Sequence, residues 1–205
     1  MDKNELSAIF WDFDGVLMDT NAIRDKGFGE VLKDYPQKEV NQLLKFHREN
    51  GGLSRYVKFR YFFEDIRGEE ITEEEVQHWA DWFSKIMRSL LINKELLIEE
   101  TLSFVKSYYR QIPMHIVSGS DQEELRFICR NLKIDEYFRT INGSPTPKKK
   151  LVENILSEEG YDKDCCVLVG DSVNDYDAAK TNGIFFKGYN NTVVENLTNI
   201  NLSLF

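Results

Sequence analysis

Short apolar runs bounded by polar or turn residues recur at 8–11, 112–117, 137–141, 166–169 and 184–186. Runs of this length are too short for helices and predict buried strands. Between the later ones the apolar period changes to that of a helix. Over 121–132, Leu125, Ile128, Cys129 and Leu132 share one face behind a Ser120-x-x-Glu123 capping box. A second helix is predicted over 148–159, with Thr146 as cap, Pro147 at the first helical position and Gly160 beyond the end. Strands alternating with helices imply an α/β fold, a Rossmann-like parallel sheet covered on both faces.

Residues 20–94 break that rhythm, with helical patterns and no convincing strand. The clearest helix starts at Thr72-x-x-Glu75 and carries Val76, Trp79, Phe83, Ile86, Met87 and Leu90 at three- and four-residue steps. Such a stripe is core or module interface. The division expected is a core made of residues 1–18 and 96–205, with a helical insert at 19–95. The Asn-rich tail, 190–205, carries no clear pattern.

The 205 residues suit one domain with an insert, and 41% hydrophobic content supplies a core. Charge narrows the partners. With 35 acidic against 26 basic residues the formal charge is −9, a field that repels a polyphosphate backbone, so no nucleic-acid partner is expected. No run approaches the ~18 apolar residues of a membrane span, and no leader sequence is recognisable. Cys129, Cys165 and Cys166 form no disulfide framework. A soluble, cytoplasmic protein without a membrane partner is expected. Cys129 and Cys166 read as small core residues, and His47, His78 and His115 form no metal-ligand pair.

The chemistry gathers at strand ends. In Trp11-Asp12-Phe13-Asp14-Gly15-Val16 the alternation of an extended chain puts Asp12 and Asp14 on one side, at the carboxyl edge where doubly wound folds bind ligands. Val169-Gly170-Asp171-Ser172-Val173-Asn174-Asp175 repeats the arrangement. Four converging carboxylates repel one another unless a cation joins them, and their hard oxygens suit Mg2+. Helix capping is the alternative for Asp175. Val117-Ser118-Gly119-Ser120 offers a hydroxyl and backbone N–H groups to an anion. Lys148, Lys149 and Lys150 stand at a helix start, where the helix dipole gains nothing from positive charge, so either solvation or a site explains them.

The ordered set Asp12-x-Asp14-Gly15-Val16, Ser118-Gly119, Lys148 and Gly170-Asp171-x-x-x-Asp175 resembles the four motifs of the haloacid dehalogenase superfamily. The insert resembles the helical cap of the subgroup containing phosphoglycolate phosphatase and beta-phosphoglucomutase. The resemblance implies that Asp12 attacks phosphorus and that Asp14 is general acid and then base. It implies that Asp12, the Asp14 carbonyl and Asp171 hold Mg2+, supported by Asp175. Ser118 and the Gly119 N–H would bind phosphoryl oxygens, and Lys148 would neutralise them, with Lys149 a rival for that place.

Asp14 argues for phosphate esters, since relatives that cleave carbon–halogen or carbon–phosphorus bonds lack that second acid. Gly52-Leu53-Ser54-Arg55 resembles the mutase substrate loop, and Arg55, with Lys58 behind it, is a candidate for gripping an anionic group of the substrate. Arg24 departs from the histidine found after the first motif of the mutases. The expectation is a Mg2+-dependent phosphatase acting on a small phosphorylated metabolite, as a monomer or homodimer. A phosphomutase and a non-catalytic binding module are the alternatives.

Overall fold

The first apolar run does form a strand, β1 (Ala8–Trp11), with all four residues buried. In the computed structural model, which describes residues 5–200, β1 lies at the centre of a five-stranded parallel sheet of order β3-β2-β1-β4-β5. Its neighbours are β2 (Met114–Asp121) and β4 (Cys166–Gly170). The edges are β3 (Thr140–Ser144) and β5 (Phe185–Gly188). Ile9 and Trp11 point into one apolar cluster and Ala8 and Phe10 into another, so both sheet faces are covered and the expected Rossmann-like class holds.

Two strand boundaries differ from expectation. The run expected at 137–141 splits: Asp135–Tyr137 is a 3-10 turn, Phe138 is buried, and β3 begins at Thr140. The strand expected at 112–117 extends to Asp121, through an irregularity after Val117.

Helices α5 (Glu99–Tyr108), α6 (Gln122–Leu132), α7 (Lys148–Glu159) and α8 (Val173–Asn182) accompany the sheet, and a single short turn, α9 (Thr192–Glu195), follows β5. The expected cap of α6 is corrected. Asp121 is the N-cap and its side chain accepts from Glu124 N at 2.9 Å, which leaves Ser120 free for another task. On α7, Pro147 rather than Thr146 occupies the N-cap. Gly160 closes α7 at φ +66°, as expected of a left-handed C-cap.

Residues between β1 and α5 form α1 (Asn21–Val31), α2 (Gln37–Glu49), α3 (Arg55–Arg60) and α4 (Glu73–Leu90). A π-helical stretch, Tyr61–Arg67, continues α3. The Thr72/Glu75 capping box forms at the start of α4. Val76, Phe83 and Met87 of its stripe are buried, whereas Leu90 is 45% exposed. Phe28, Phe59 and Phe83 stack around one another where α1, α3 and α4 meet. Among the described residues no helix is long and apolar enough to cross a membrane.

Candidate active site

Register brings three of the four predicted acids, Asp12, Asp171 and Asp175, into one cluster, while the Asp14 carboxylate turns to Arg24, Ser120 and Thr20. Trp11 lies opposite Ile116 of β2 and Val169 of β4, so the residues that follow each strand leave the same edge of the sheet. Asp12 is buried there, its N–H donating to the Val169 carbonyl at 2.9 Å and its Oδ1 accepting from Phe13 N at 2.8 Å. Oxygens of Asp12, Asp171 and Asp175 lie within 4.8 Å of one another. Gly15 turns the chain at φ +77°, and a side chain at that position would run into the Asp171 carboxylate.

The three lysines separate cleanly. Lys149 and Lys150 are exposed, whereas Lys148 is buried with its Nζ 2.9 Å from Asp12 Oδ1 and bonded to Asp175. Of the three, Lys148 is the one that reaches the acid cluster, because α7 starts at Lys148 and points its first residue inward. Asp175 serves two neighbours. One oxygen takes Lys148, and the other accepts from Ser172 N at 3.0 Å and Ser172 Oγ at 2.5 Å in a capping box.

Burial and the nearby carboxylates, Asp175 foremost, push the Asp12 carboxyl well above its ordinary range despite Lys148. The same causes raise Asp171 to about 7. Asp14 goes the other way. Burial alone would raise it, but the Arg24 charge and hydrogen bonds from Ser120 and Thr20 outweigh burial and hold it at about 2. Arg24 Nε donates to Asp14 Oδ1 at 2.8 Å, Ser120 Oγ to Asp14 Oδ2 at 2.5 Å, and Thr20 Oγ1 to Asp14 Oδ1.

Above this edge lies a cavity of about 700 Å3. Asp12, Asp14, Asp171, Ser118 and Gly119 line its floor, with Arg24, His47, Gly52, Arg55 and Lys58 among its upper lining. The Ser118 side chain is fully buried and accepts from Ser120 N at 3.1 Å. Gly119 sits directly under the Gly52 carbonyl. The helical layer is closed onto the sheet: Asn174 Nδ2 donates to Gly52 O at 3.0 Å and Tyr56 OH to Asp121 Oδ2 at 2.9 Å.

Arg55 is not the surface arginine its position at a helix start allows. It is buried, donates to both oxygens of Glu124 and to Ser84 Oγ, and lies over the Phe83 ring. In this closed arrangement its guanidinium is committed to the protein. Lys58 is buried beside it.

Four partners of the site escaped sequence reasoning: Thr20, Ser120, Glu124 and His47. Ser120 carried a signal that favoured the wrong role, since both Ser120-x-x-Glu123 and Asp121-x-x-Glu124 fit a capping box. Glu124 meets Arg24 and Arg55 across 100 and 69 residues of sequence, and nothing local marks such pairs.

A parallel sheet whose carboxyl edge carries a buried acid cluster, a lysine bridging two of the acids and a helical layer overhead defines a class of α/β enzyme built around anion chemistry. The chain belongs to the haloacid dehalogenase-like hydrolase family, whose pattern it matches over residues 9–188. It is 25% identical over 186 residues to a phosphorylated carbohydrates phosphatase of Thermotoga maritima, covering 87% of this chain and 82% of that protein. Its fold is similar to a beta-phosphoglucomutase of Clostridium difficile, with TM-score 0.72 and 19% identity over 97% of this chain and 90% of that one. It is also similar to a structure described as a predicted phosphoglycolate phosphatase of Haemophilus somnus, with TM-score 0.71 and 20% identity over 90% and 85%. The expected class, an enzyme of the phosphatase kind, agrees with the family and with the name of the Thermotoga relative.

Proposed function

We propose that the protein is a Mg2+-dependent phosphatase of a small phosphorylated metabolite of the sugar-phosphate type, acting through an aspartyl phosphate on Asp12. The observation that carries this reading is the pairing of Asp12. Its carboxylate is buried at a strand end, fixed by the Phe13 N–H and by Lys148, and open to the cavity.

The residues fit a divalent metal of the hard class. Asp12, Asp171 and Asp175 bring carboxylate oxygens within one coordination sphere, and their mutual repulsion is what a cation relieves. Asp12, the Asp14 carbonyl and Asp171 would hold Mg2+, with Asp175 supporting through Lys148 and Ser172. When bound, the ion supplies charge neutralisation that lets a carboxylate approach a phosphate.

Asp12 Oδ attacks phosphorus, the bond from phosphorus to the leaving oxygen breaks, and that oxygen receives a proton from Asp14, which must carry one when the ester binds. Water then attacks the acyl phosphate with Asp14 as base, releasing phosphate and restoring Asp12. Ser118, Gly119 and Lys148 bind the phosphoryl oxygens. Arg24, Ser120 and Thr20 hold Asp14 ionised, the state the base half of the cycle uses, so for the acid half Asp14 has to take up a proton before the ester oxygen leaves. Arg24, standing where the mutases carry histidine, favours hydrolysis over transfer between sugar hydroxyls. Free Cys129, Cys165 and Cys166 accord with a reducing, cytoplasmic setting.

The test is phosphate release from p-nitrophenyl phosphate and a panel of sugar phosphates by wild type and Asp12→Asn. Wild type should release phosphate, and the variant should lose more than about a thousandfold in kcat while its melting temperature holds. Wild-type rates in the variant would remove Asp12 from the mechanism. Isomerisation of a sugar phosphate without phosphate release would identify a mutase instead.

A further inference from the structure

The Asn-rich tail, which shows no clear pattern as sequence, has a definite place in the fold. Two of its side chains cover the outer edge of β5, where Asn199 Oδ1 accepts from Phe186 N at 2.7 Å and Thr198 Oγ1 from Gly188 N at 3.0 Å. Two others, at the start of the segment, reach the acid cluster. Asn190 Nδ2 donates to the Gly15 carbonyl at 3.1 Å, and Asn191 Nδ2 donates to the Asp171 carbonyl at 2.8 Å. From the end of β5, one link holds the turn after β1 and the other the turn after β4.

Two local features aim this pair. Consecutive side chains leave an extended chain on opposite sides, but Asn190 has φ +55°, in the left-handed region that glycine and asparagine tolerate best, and the chain turns there. Asn191 caps α9, its Oδ1 accepting from Val193 N at 3.1 Å. With the carbonyl end of the amide so engaged, its NH2 end is the one that faces the Asp171 carbonyl. Both residues line the cavity.

The two turns they hold are packed against each other. A Cβ at Gly15 would stand 2.1 Å from Asp171 Oδ2, and oxygens of Asp12, Asp171 and Asp175 lie within 4.8 Å of one another. Carboxylates this close repel and push their turns apart until a cation joins them. Resting on the phosphatase reading, we infer that Asn190 and Asn191 are positioning residues of the reaction: together they clamp the Asp14–Gly15 turn against the Asp171 turn and preorganise the acid cluster for its divalent cation.

Each asparagine acts through a backbone carbonyl. The Gly15 link fixes the peptide next to the Asp14 carbonyl, and the Asp171 link fixes the backbone from which that carboxylate leaves. A carboxamide suits the task because it donates without carrying charge: an ammonium would compete with the cation, and a carboxylate has no proton to give the carbonyl. Ligands held in place before the cation arrives rearrange little when it binds, so the clamp acts on metal affinity rather than on the chemical step.

The experiment titrates Mg2+ into wild type, Asn190→Gly, Asn191→Ser, the double variant and Asn199→Ala. It reads the Mg2+ dissociation constant by calorimetry without substrate, and the Mg2+ concentration that half-activates turnover of p-nitrophenyl phosphate. Asn190→Gly keeps the left-handed turn while deleting the amide, and Asn191→Ser keeps a cap for α9 with a hydroxyl too short to reach the Asp171 carbonyl. Each single variant should weaken Mg2+ about three- to tenfold in both readouts, the scale of one neutral hydrogen bond, and the double variant about ten- to a hundredfold, while kcat at saturating Mg2+ stays within about threefold. Asn199→Ala removes a tail bond remote from the acids, so it should lower the melting temperature and leave both Mg2+ constants at wild-type values. Wild-type Mg2+ constants in the asparagine variants, or equal weakening in Asn199→Ala, overturn the clamp and leave the phosphatase reading standing. If wild type binds Mg2+ but turns over no ester, that reading fails and the calorimetric constants still decide the clamp. A wild type indifferent to Mg2+ in both readouts overturns the clamp together with the metal.

Discussion

Arg55 donates to both carboxylate oxygens of Glu124, at 2.5 and 2.7 Å. The pair joins α3 of the helical layer to the first turn of α6 beside the sheet. Glu124 is fully buried and accepts from Arg24 as well, at 2.8 Å. Arg24 in turn holds Asp14. One unbroken chain of charge-assisted bonds therefore runs from the strand-end acid to the cap, ending at Ser84 of α4. Bidentate guanidinium–carboxylate geometry fixes orientation as well as distance.

Removing one member of such a chain leaves the others buried and uncompensated. Glu124→Gln removes the negative charge shared by two guanidiniums and turns one of its acceptor oxygens into an NH2 donor that faces them, and should cost about 3–5 kcal/mol of unfolding free energy. Urea titration measures it. A loss below about 1 kcal/mol would mean that the cap opens readily and that water takes the carboxylate's place.

The pairs in this chain explain what the sequence could and could not announce. β1 and β4 were legible because their apolar runs stop abruptly at Asp12 and Gly170, and α4 because its capping box is the one the structure uses. The convergence of Asp12 and Asp171 was legible from their strand-end positions, whereas Lys148 stood out from its two neighbours only through the resemblance. Ser120 and Asp121 are adjacent and both have a glutamate three residues on, so only three-dimensional context decides that Asp121 caps while Ser120 reaches Asp14. Arg55 could be named but not placed. The partner that neutralises it lies 69 residues away on another element, and pairing across such a distance leaves no periodic trace.

Metal removal should separate the acid cluster from the rest of the fold. Mg2+ should raise the melting temperature of the wild type, because an ion that binds only the folded state stabilises it by about 2.7 kcal/mol at a hundred times its dissociation constant. EDTA should abolish both the shift and the turnover. Ca2+ should restore turnover poorly, since it prefers longer bonds and more ligands than two carboxylates, a backbone carbonyl and a phosphate provide in octahedral geometry. Full activity in chelator, with negligible metal by elemental measurement, would dismiss the metal.

Two buried imidazoles set the acid limit of stability. Burial lowers His115 from 6.5 to about 4, where its ring nitrogens meet Thr140 Oγ1 at 2.8 Å and Tyr161 OH at 3.0 Å. His47 falls from 6.5 to about 3. Below pH 6.5 the unfolded chain takes up protons that the folded protein refuses. Stability is therefore retained above that pH and lost as pH falls toward 4, by up to about 1.4 kcal/mol per unit for each histidine. His115→Gln should flatten the slope between pH 6.5 and 4.5. Parallel stability curves for wild type and variant would show that His115 is protonated in the fold.

Gly119 offers the sharpest control over closure. Its φ lies outside the left-handed region, so alanine brings no backbone strain at this position. The obstacle is the cap. A Cβ would overlap the backbone carbonyl of Gly52, and a backbone atom in a loop pinned by Asn174 yields less easily than the end of a flexible side chain. The overlap is relieved by moving the 51–53 loop away from the sheet, which breaks the Asn174 bond and widens the cavity over Asp12 while the strands stay paired. Gly119→Ala should then lower kcat/KM at least about tenfold, the scale on which misplacing a closing element costs catalysis. Trypsin should also cut faster after Arg55 and Lys58, both shielded in the closed form. Unchanged turnover with unchanged protease resistance would mean that the sheet edge, not the cap, absorbs the methyl group, and that the contact between Gly119 and Gly52 is not what holds the cap down.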